Sequence, residues 1–242
     1  MEVEKLGSRI TGEEELELID TVIVKTQGFC EWKYTGRGRL TSRFRFSGRL
    51  LSLYEGVDKG MLRENMRYFL AAVMPVCEKY GIDMCVHPDD PPFQMLGLPR
   101  IVTCEEDIAW ILDAVDNPHN GLTFCAGSLS AGVHNDTRGL ARRFAGRTRF
   151  VHLRSTETLS GGDFIESSHL SGRGHLIELI RVFESSNPGL PMRVDHGRMM
   201  LGDEKLGYNP GYSFHGRMLA LAQVEGMMSV VQDELQEQRM RF

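Results

Sequence analysis

From residue 58 onward, short apolar runs alternate with stretches in which apolar residues recur every three or four positions. Asp58 is placed to cap a helix whose apolar stripe is Leu62, Met66, Phe69, Leu70, Val73 and Cys77, and Gly81 is placed to end it. IDMCV over 82–86 is the compact apolar run of a buried strand, followed by HPDDPP. Thr103, with Glu106 three residues on, predicts a capping box ahead of Ile108, Trp110, Ile111, Leu112 and Val115. LTFCA, ending at Gly127-Ser128, predicts a second strand. RFVHLRS, after the stretch 137–146, predicts a third, and PMRVDHG a fourth. A helix over about 174–184 carries Leu176, Ile177, Leu179, Ile180, Val182 and Phe183, and a last helical stretch runs from roughly 215 to 239.

Strands alternating with helices predict parallel strands joined by right-handed crossovers, hence an α/β fold. In such folds the chemistry gathers at the carboxyl ends of the strands. No repeat, low-complexity tract or linker divides 58–242, and 53–242 read as one set of βα units. Residues 1–52 are atypical. The stretch from Thr21 to Leu51 is rich in arginine and has no clean period, which is the pattern of a solvated loop or extension. RFRF interleaves basic and aromatic residues, but nothing else supports a nucleic-acid patch.

Charge and cysteine usage narrow the classes. A formal net charge of -5 over 242 residues argues against a general nucleic-acid binder. No apolar run approaches membrane-spanning length, so no membrane role is expected. The acidic, polar opening residues are unlike a secretory signal and point to the cytoplasm. Five cysteines (Cys30, Cys77, Cys85, Cys104 and Cys125) without a CxxC pair fit reduced thiols rather than a disulfide framework.

The four expected strands end in, or are followed at once by, His87, Cys125, His152 and Asp195, spaced 38, 27 and 43 residues apart. Any one of them alone has an ordinary explanation: a strand-end hydrogen bond, a core thiol, or a carboxylate paired with Arg193. One metal-competent residue at the same place in four successive βα units is a different matter. Parallel neighbours would bring two imidazoles, a thiolate and a carboxylate to one rim, a credible donor set for Zn, Mn, Fe or Co. Asp89, Asp90, Ser128, Asn135, Arg154, Ser155, His196, Arg198 and Tyr212 crowd the same rim. His196, next to Asp195, is suited to general acid or base work. Arg154 and Arg198 are suited to clamp a carboxylate.

HPDDPP, LGLPRIV, FCAGS, HLRST, DHG and NPGYS, in this order and spacing, closely resemble the mannonate dehydratases, as does LYEGVDKGMLRENMRYFLAAVMPVCEKYGIDM before them. The likeness runs from about Leu53 almost to the C-terminus. Residues 7–23 also look like the family, whereas 24–50 do not. The resemblance implies a TIM barrel of the xylose-isomerase-like kind, of which only the C-terminal half is recognisable in these βα units. It implies a hydro-lyase that converts D-mannonate to 2-dehydro-3-deoxy-D-gluconate plus water in hexuronate (glucuronate) catabolism. It implies a Mn²⁺ or Fe²⁺ cofactor held by His87, Cys125, His152 and Asp195, with His196 and Tyr212 as the catalytic pair. Tyr208, four residues earlier, is the other tyrosine near that motif. Arg154, Asn135 and Arg198 would then bind the sugar acid, in a cytoplasmic homo-oligomer. Two other readings stay open: a related metal-dependent sugar isomerase or epimerase, and an inactive barrel fragment.

Overall fold

The structure is a computed structural model that describes residues 53–94, 97–160, 162–209 and 211–241. The expectations for 1–52, including the family-like stretch 7–23 and the unmatched stretch 24–50, lie outside the described residues. The chain divides into two compact units, one of Met1–Lys59 with Gln94–Pro99 and the other of Gly60–Phe93 with Arg100–Phe242. Of the first, the described part is short and includes a turn in which Val57 N donates to Tyr54 O at 3.0 Å. The second carries everything that follows.

Its elements alternate as expected. Helix α1 (Lys59–Tyr80) leads to strand β1 (Met84–Val86), α2 (Glu105–Ala114) to β2 (Asn120–Cys125), and α3 (Ala126–Ala131) with α4 (Thr137–Phe144) to β3 (Thr148–Leu153). After β3 come the short strands β4 (Thr156–Thr158) and β5 (Phe164–Glu166), then α5 (Leu176–Ser186), β6 (Met192–Val194) and the long α6 (Phe214–Met240). The main sheet has the order β1-β2-β3-β6 with every pair parallel. No described helix is long and apolar enough to cross a membrane.

β2 shows why this sheet is stable. All six of its residues are buried, as befits a parallel strand covered on both faces. Phe124 packs edge-on against Phe183 of α5, ring centroids 5.2 Å apart, so Phe124 faces the helices. Side chains alternate along a strand, so Cys125 faces the opposite side. Leu122, Ile108, Ile111, Val151, Leu153, Leu179 and Ile180 complete the helix-side core with no exposed surface.

The β2–β3 register contains one irregularity. Leu122 pairs with Thr148 but Thr123 pairs with Phe150, so β3 accommodates one extra residue, Arg149. Gly121 makes this possible: a Cβ there would sit 2.6 Å from Arg149 Cγ. Beyond the irregularity, Cys125 pairs directly with His152.

Several local expectations change. Phe69, expected on the buried stripe of α1, is 47% exposed, and Met74 is buried instead, because the packed face is centred on Leu70, Met74 and Cys77. Gly81, at φ +62°, ends α1 as expected. The cap of α2 is built differently from the expected box. Cys104 occupies the cap position, and Asp107, not Glu106, reaches back to Thr103 N (3.0 Å) and Thr103 Oγ1 (2.7 Å). Asp107 is fully buried and also accepts from Arg63 at 2.6 Å, which favours it over the exposed Glu106. The stretch 137–146 contains α4, capped by Asp136, whose carboxylate accepts from Arg138 N at 3.1 Å. The β4–β5 hairpin was not anticipated.

Because Phe124 joins the central strand to α5 in a site with no exposed surface, Phe124→Ala should destabilise the fold by about 3–5 kcal/mol. Urea denaturation of the two proteins measures this.

Candidate metal centre

The strand ends converge. His87 follows β1, Cys125 ends β2, His152 lies one residue before the end of β3, and Asp195 follows β6. One donor atom from each lies within 4.8 Å of the other three. His87 Nε2 is 3.2 Å from His152 Nδ1, Asp195 Oδ2 is 3.5 Å from His152 Nδ1, and Cys125 Sγ is 4.0 Å from Asp195 Oδ2. Bonds of about 2.0–2.3 Å to a shared ion place neighbouring donors roughly 3–4 Å apart, so the spacing suits one ion.

Three of the four donors are aimed by a second contact. His87 Nδ1 lies 2.6 Å from Pro88 O, so the hydrogen sits there and Nε2 offers its lone pair to the cluster. Asp195 Oδ1 accepts from Arg193 at 2.9 Å, leaving Oδ2 for the centre, and its backbone carbonyl accepts from Arg217 Nε at 3.1 Å. The Cys125 sulfur, fully buried, accepts from Ser128 Oγ at 3.1 Å and lies 3.5 Å from Ser128 N at the start of α3.

These contacts also set the charges. Burial alone would raise the Cys125 thiol, but hydrogen bonds with His152 and His87 lower it to about 6. Burial alone would lower His152, but Asp195 and Cys125 push it up to about 9. Asp195 is disfavoured as an anion by burial and yet held well below the usual carboxylate range by His152 and His196. These contacts favour the thiolate of Cys125 and the carboxylate of Asp195, with the proton on His152. A divalent cation in place of that proton would neutralise the two anions, and the donor set fits a divalent metal.

The other expected site residues divide. His196 is at the cluster: Nε2 is 3.6 Å from Asp195 Oδ2, and Nδ1 is 2.7 Å from Glu166 Oε1. Tyr212 lies against His196 with ring centroids 4.6 Å apart, and the Arg217 guanidinium sits 4.9 Å from the tyrosine ring. Tyr208 packs against His215 instead. Arg154 is buried near the cluster, its guanidinium engaged by Asp90 and Glu166. Asn135 donates to Thr103 O and Leu129 O, both at 3.0 Å, tying two loops together. Arg198 is exposed. Glu166 is absent from the expected set, because the three-residue strand FIE shows no period that would mark it.

Parallel βα units that gather possible metal ligands at the carboxyl ends of adjacent strands place the chain in the α/β class, with its site where barrel folds carry theirs. The UxuA family of D-mannonate dehydratases matches residues 7–238, and the chain belongs to that family. It is 39% identical over 223 residues to a mannonate dehydratase of Chromohalobacter salexigens, covering 88% of this chain and 55% of the relative. It is 42% identical over 189 residues to one of Geobacillus thermodenitrificans, covering 76% and 50%. The crystal structure of mannonate dehydratase from Streptococcus suis serotype 2 aligns with a TM-score of 0.73 at 28% identity, over 80% of this chain and 56% of that one. The chain spans about half the length of the relatives it matches. Its fold is therefore part of the TIM-barrel architecture.

Backbone packing locks the Asp195–His196–Gly197 turn. A Cβ on Gly197 would lie 2.5 Å from Gly216 C and 2.8 Å from Arg217 Cα at the start of α6, where no flexible side chain can yield. Gly197→Ala should therefore destabilise the chain by roughly 1–3 kcal/mol and weaken metal retention. Thermal melts with and without Mn²⁺ read both effects.

Proposed function

We propose that this chain holds Mn²⁺ or Fe²⁺ through His87, Cys125, His152 and Asp195 and dehydrates D-mannonate to 2-dehydro-3-deoxy-D-gluconate. The observation that carries the reading is the gathering of the four donor atoms within 4.8 Å, in a member of the D-mannonate dehydratase family. A cytoplasmic homo-oligomeric enzyme of hexuronate catabolism is the setting it implies.

The reaction breaks a C–H bond next to the carboxylate and a C–O bond at the next carbon. Water leaves, and the resulting enol becomes a ketone when C3 takes up a proton. A divalent ion, when bound, would stabilise the negative charge that builds on the substrate carboxylate as the first proton departs. His196 faces the cluster through Nε2, and Tyr212 lies against the same ring, so the pair is placed to divide the base and acid roles. Burial, with Asp195 nearby, raises the Tyr212 phenol, which favours its protonated, donating form. In this reading Arg154, Asn135 and Arg198 serve the sugar acid.

Assay of D-mannonate with the Mn²⁺- or Fe²⁺-loaded chain should yield the 2-keto-3-deoxy acid, and His196→Asn or Tyr212→Phe should reduce kcat by about 10²–10⁴-fold. Metal binding by a folded chain without any product would overturn the reading.

Metal affinity should also depend on pH. The metal-free chain keeps the His152 proton up to about 9 and the Cys125 proton up to about 6. Binding displaces them, so affinity should rise by at least about tenfold per pH unit between 6 and 9, and more steeply below 6. Chelator competition across this range provides the measurement.

A further inference from the structure

One carboxylate in the site has no role in the scheme above. Glu166 closes β5, on the hairpin whose register pairs it with Thr156. Its side chain is 17% exposed. Oε1 lies 2.7 Å from His196 Nδ1, and Arg154 Nε donates to Oε1 at 2.9 Å and Oε2 at 3.0 Å. Arg154 Nη2 approaches the same carboxylate at 2.6 Å, while Nη1 is held by Asp90.

The arrangement is built rather than incidental. Gly127 leaves the lane through which the Arg154 side chain passes, since a Cβ there would collide with its Cγ and Cδ. Gly211 has φ +81°, and a Cβ on it would sit 3.1 Å from His196 Nδ1 and 3.6 Å from Glu166 Oε1, crowding the bond between them. The hairpin is tied down where it leaves β3: Thr156 Oγ1 bonds Ser130 Oγ at 2.8 Å, and Ser167 N donates to Ser155 O at 2.9 Å.

A carboxylate flanked by a guanidinium can only accept, so the hydrogen on this bond belongs to His196 Nδ1. That leaves Nε2 as the free nitrogen, on the side of Asp195 Oδ2. We propose that Glu166 is a positioning residue that fixes the tautomer and orientation of His196 and so presents Nε2 to the substrate. The proposal rests on His196 being an acid–base residue of the dehydration. Arg154 and Asp90 complete a chain that keeps the Glu166 carboxylate in place.

Two readouts of the full chain test this. With Zn²⁺ as a diamagnetic ion, long-range ¹H–¹⁵N NMR, assigned by loss of one ring system in His196→Asn, should show the hydrogen on Nδ1. Glu166→Gln has one acceptor oxygen where the carboxylate has two, and Arg154 and His196 then compete for it. The Nδ1–H form should accordingly be depleted, and kcat on D-mannonate with Mn²⁺ should fall roughly 10- to 100-fold with KM changed less than about threefold. Glu166→Asp, which restores the carboxylate, should recover part of both. A hydrogen on Nε2 in the unsubstituted chain overturns the proposal whatever the variants do. So does an unchanged tautomer in Glu166→Gln, or a shifted tautomer with undiminished kcat. If the unsubstituted chain makes no product at all, the dehydratase reading fails, and the tautomer measurements alone decide what Glu166 does.

Discussion

Side chains on neighbouring parallel strands can share a donor set only if the strands are in the right register, and here that depends on the pairing of β2 with β3. A strand alternates its faces with a period of two, so a slip of one residue would put Val151 beside Cys125 and turn His152 toward the helices. The irregularity at Leu122/Thr123 absorbs one residue of β3 and avoids that outcome. Gly121 permits it by leaving space for the Arg149 side chain, whose guanidinium then reaches Pro118 O at 3.0 Å. A glycine four residues before the thiol, on the same strand, therefore leaves the room in which the register that joins Cys125 to His152 is kept.

Around that contact the site is organised as charge in a poorly solvated place. Asp195, Cys125 and Arg154 are all buried, and buried charges persist only when paired. Each is paired more than once: Asp195 with His152, His196 and Arg193, and Arg154 with Asp90 and Glu166. The same contacts that make burial tolerable also leave one lone pair of each donor aimed at a common point. Stability and chemical readiness are here two consequences of one set of hydrogen bonds.

Much of this was legible in the chain itself. Period gave the strand–helix alternation, and recurrence of a metal-competent residue at four strand ends gave the four side chains that the structure gathers, because both depend on local sequence. What could not be read depends on tertiary packing. The outward turn of Phe69 and the inward turn of Met74 are decided by which face of α1 meets the sheet. Asp107 displaces Glu106 in the cap because Arg63, 44 residues away, reaches it. Asn135 was readable as a polar residue near the rim, but not as one whose amide is already taken by two loop carbonyls. Glu166 was hidden because its hairpin is too short to show a pattern, and its importance comes from partners 12 and 30 residues away.

The donors come from four segments that touch only after the sheet has assembled. No pair of them is close in sequence, and β1 and β6, which supply the outer two, stand at opposite ends of the strand order. An ion held by all four would therefore fasten the two outer strands of the sheet to one another across the two inner ones. Such a clasp binds only the assembled sheet, so the ion's binding free energy would add to the stability of the folded state. For this chain, occupancy of the site would bear on how firmly the sheet holds together as well as on what it can do.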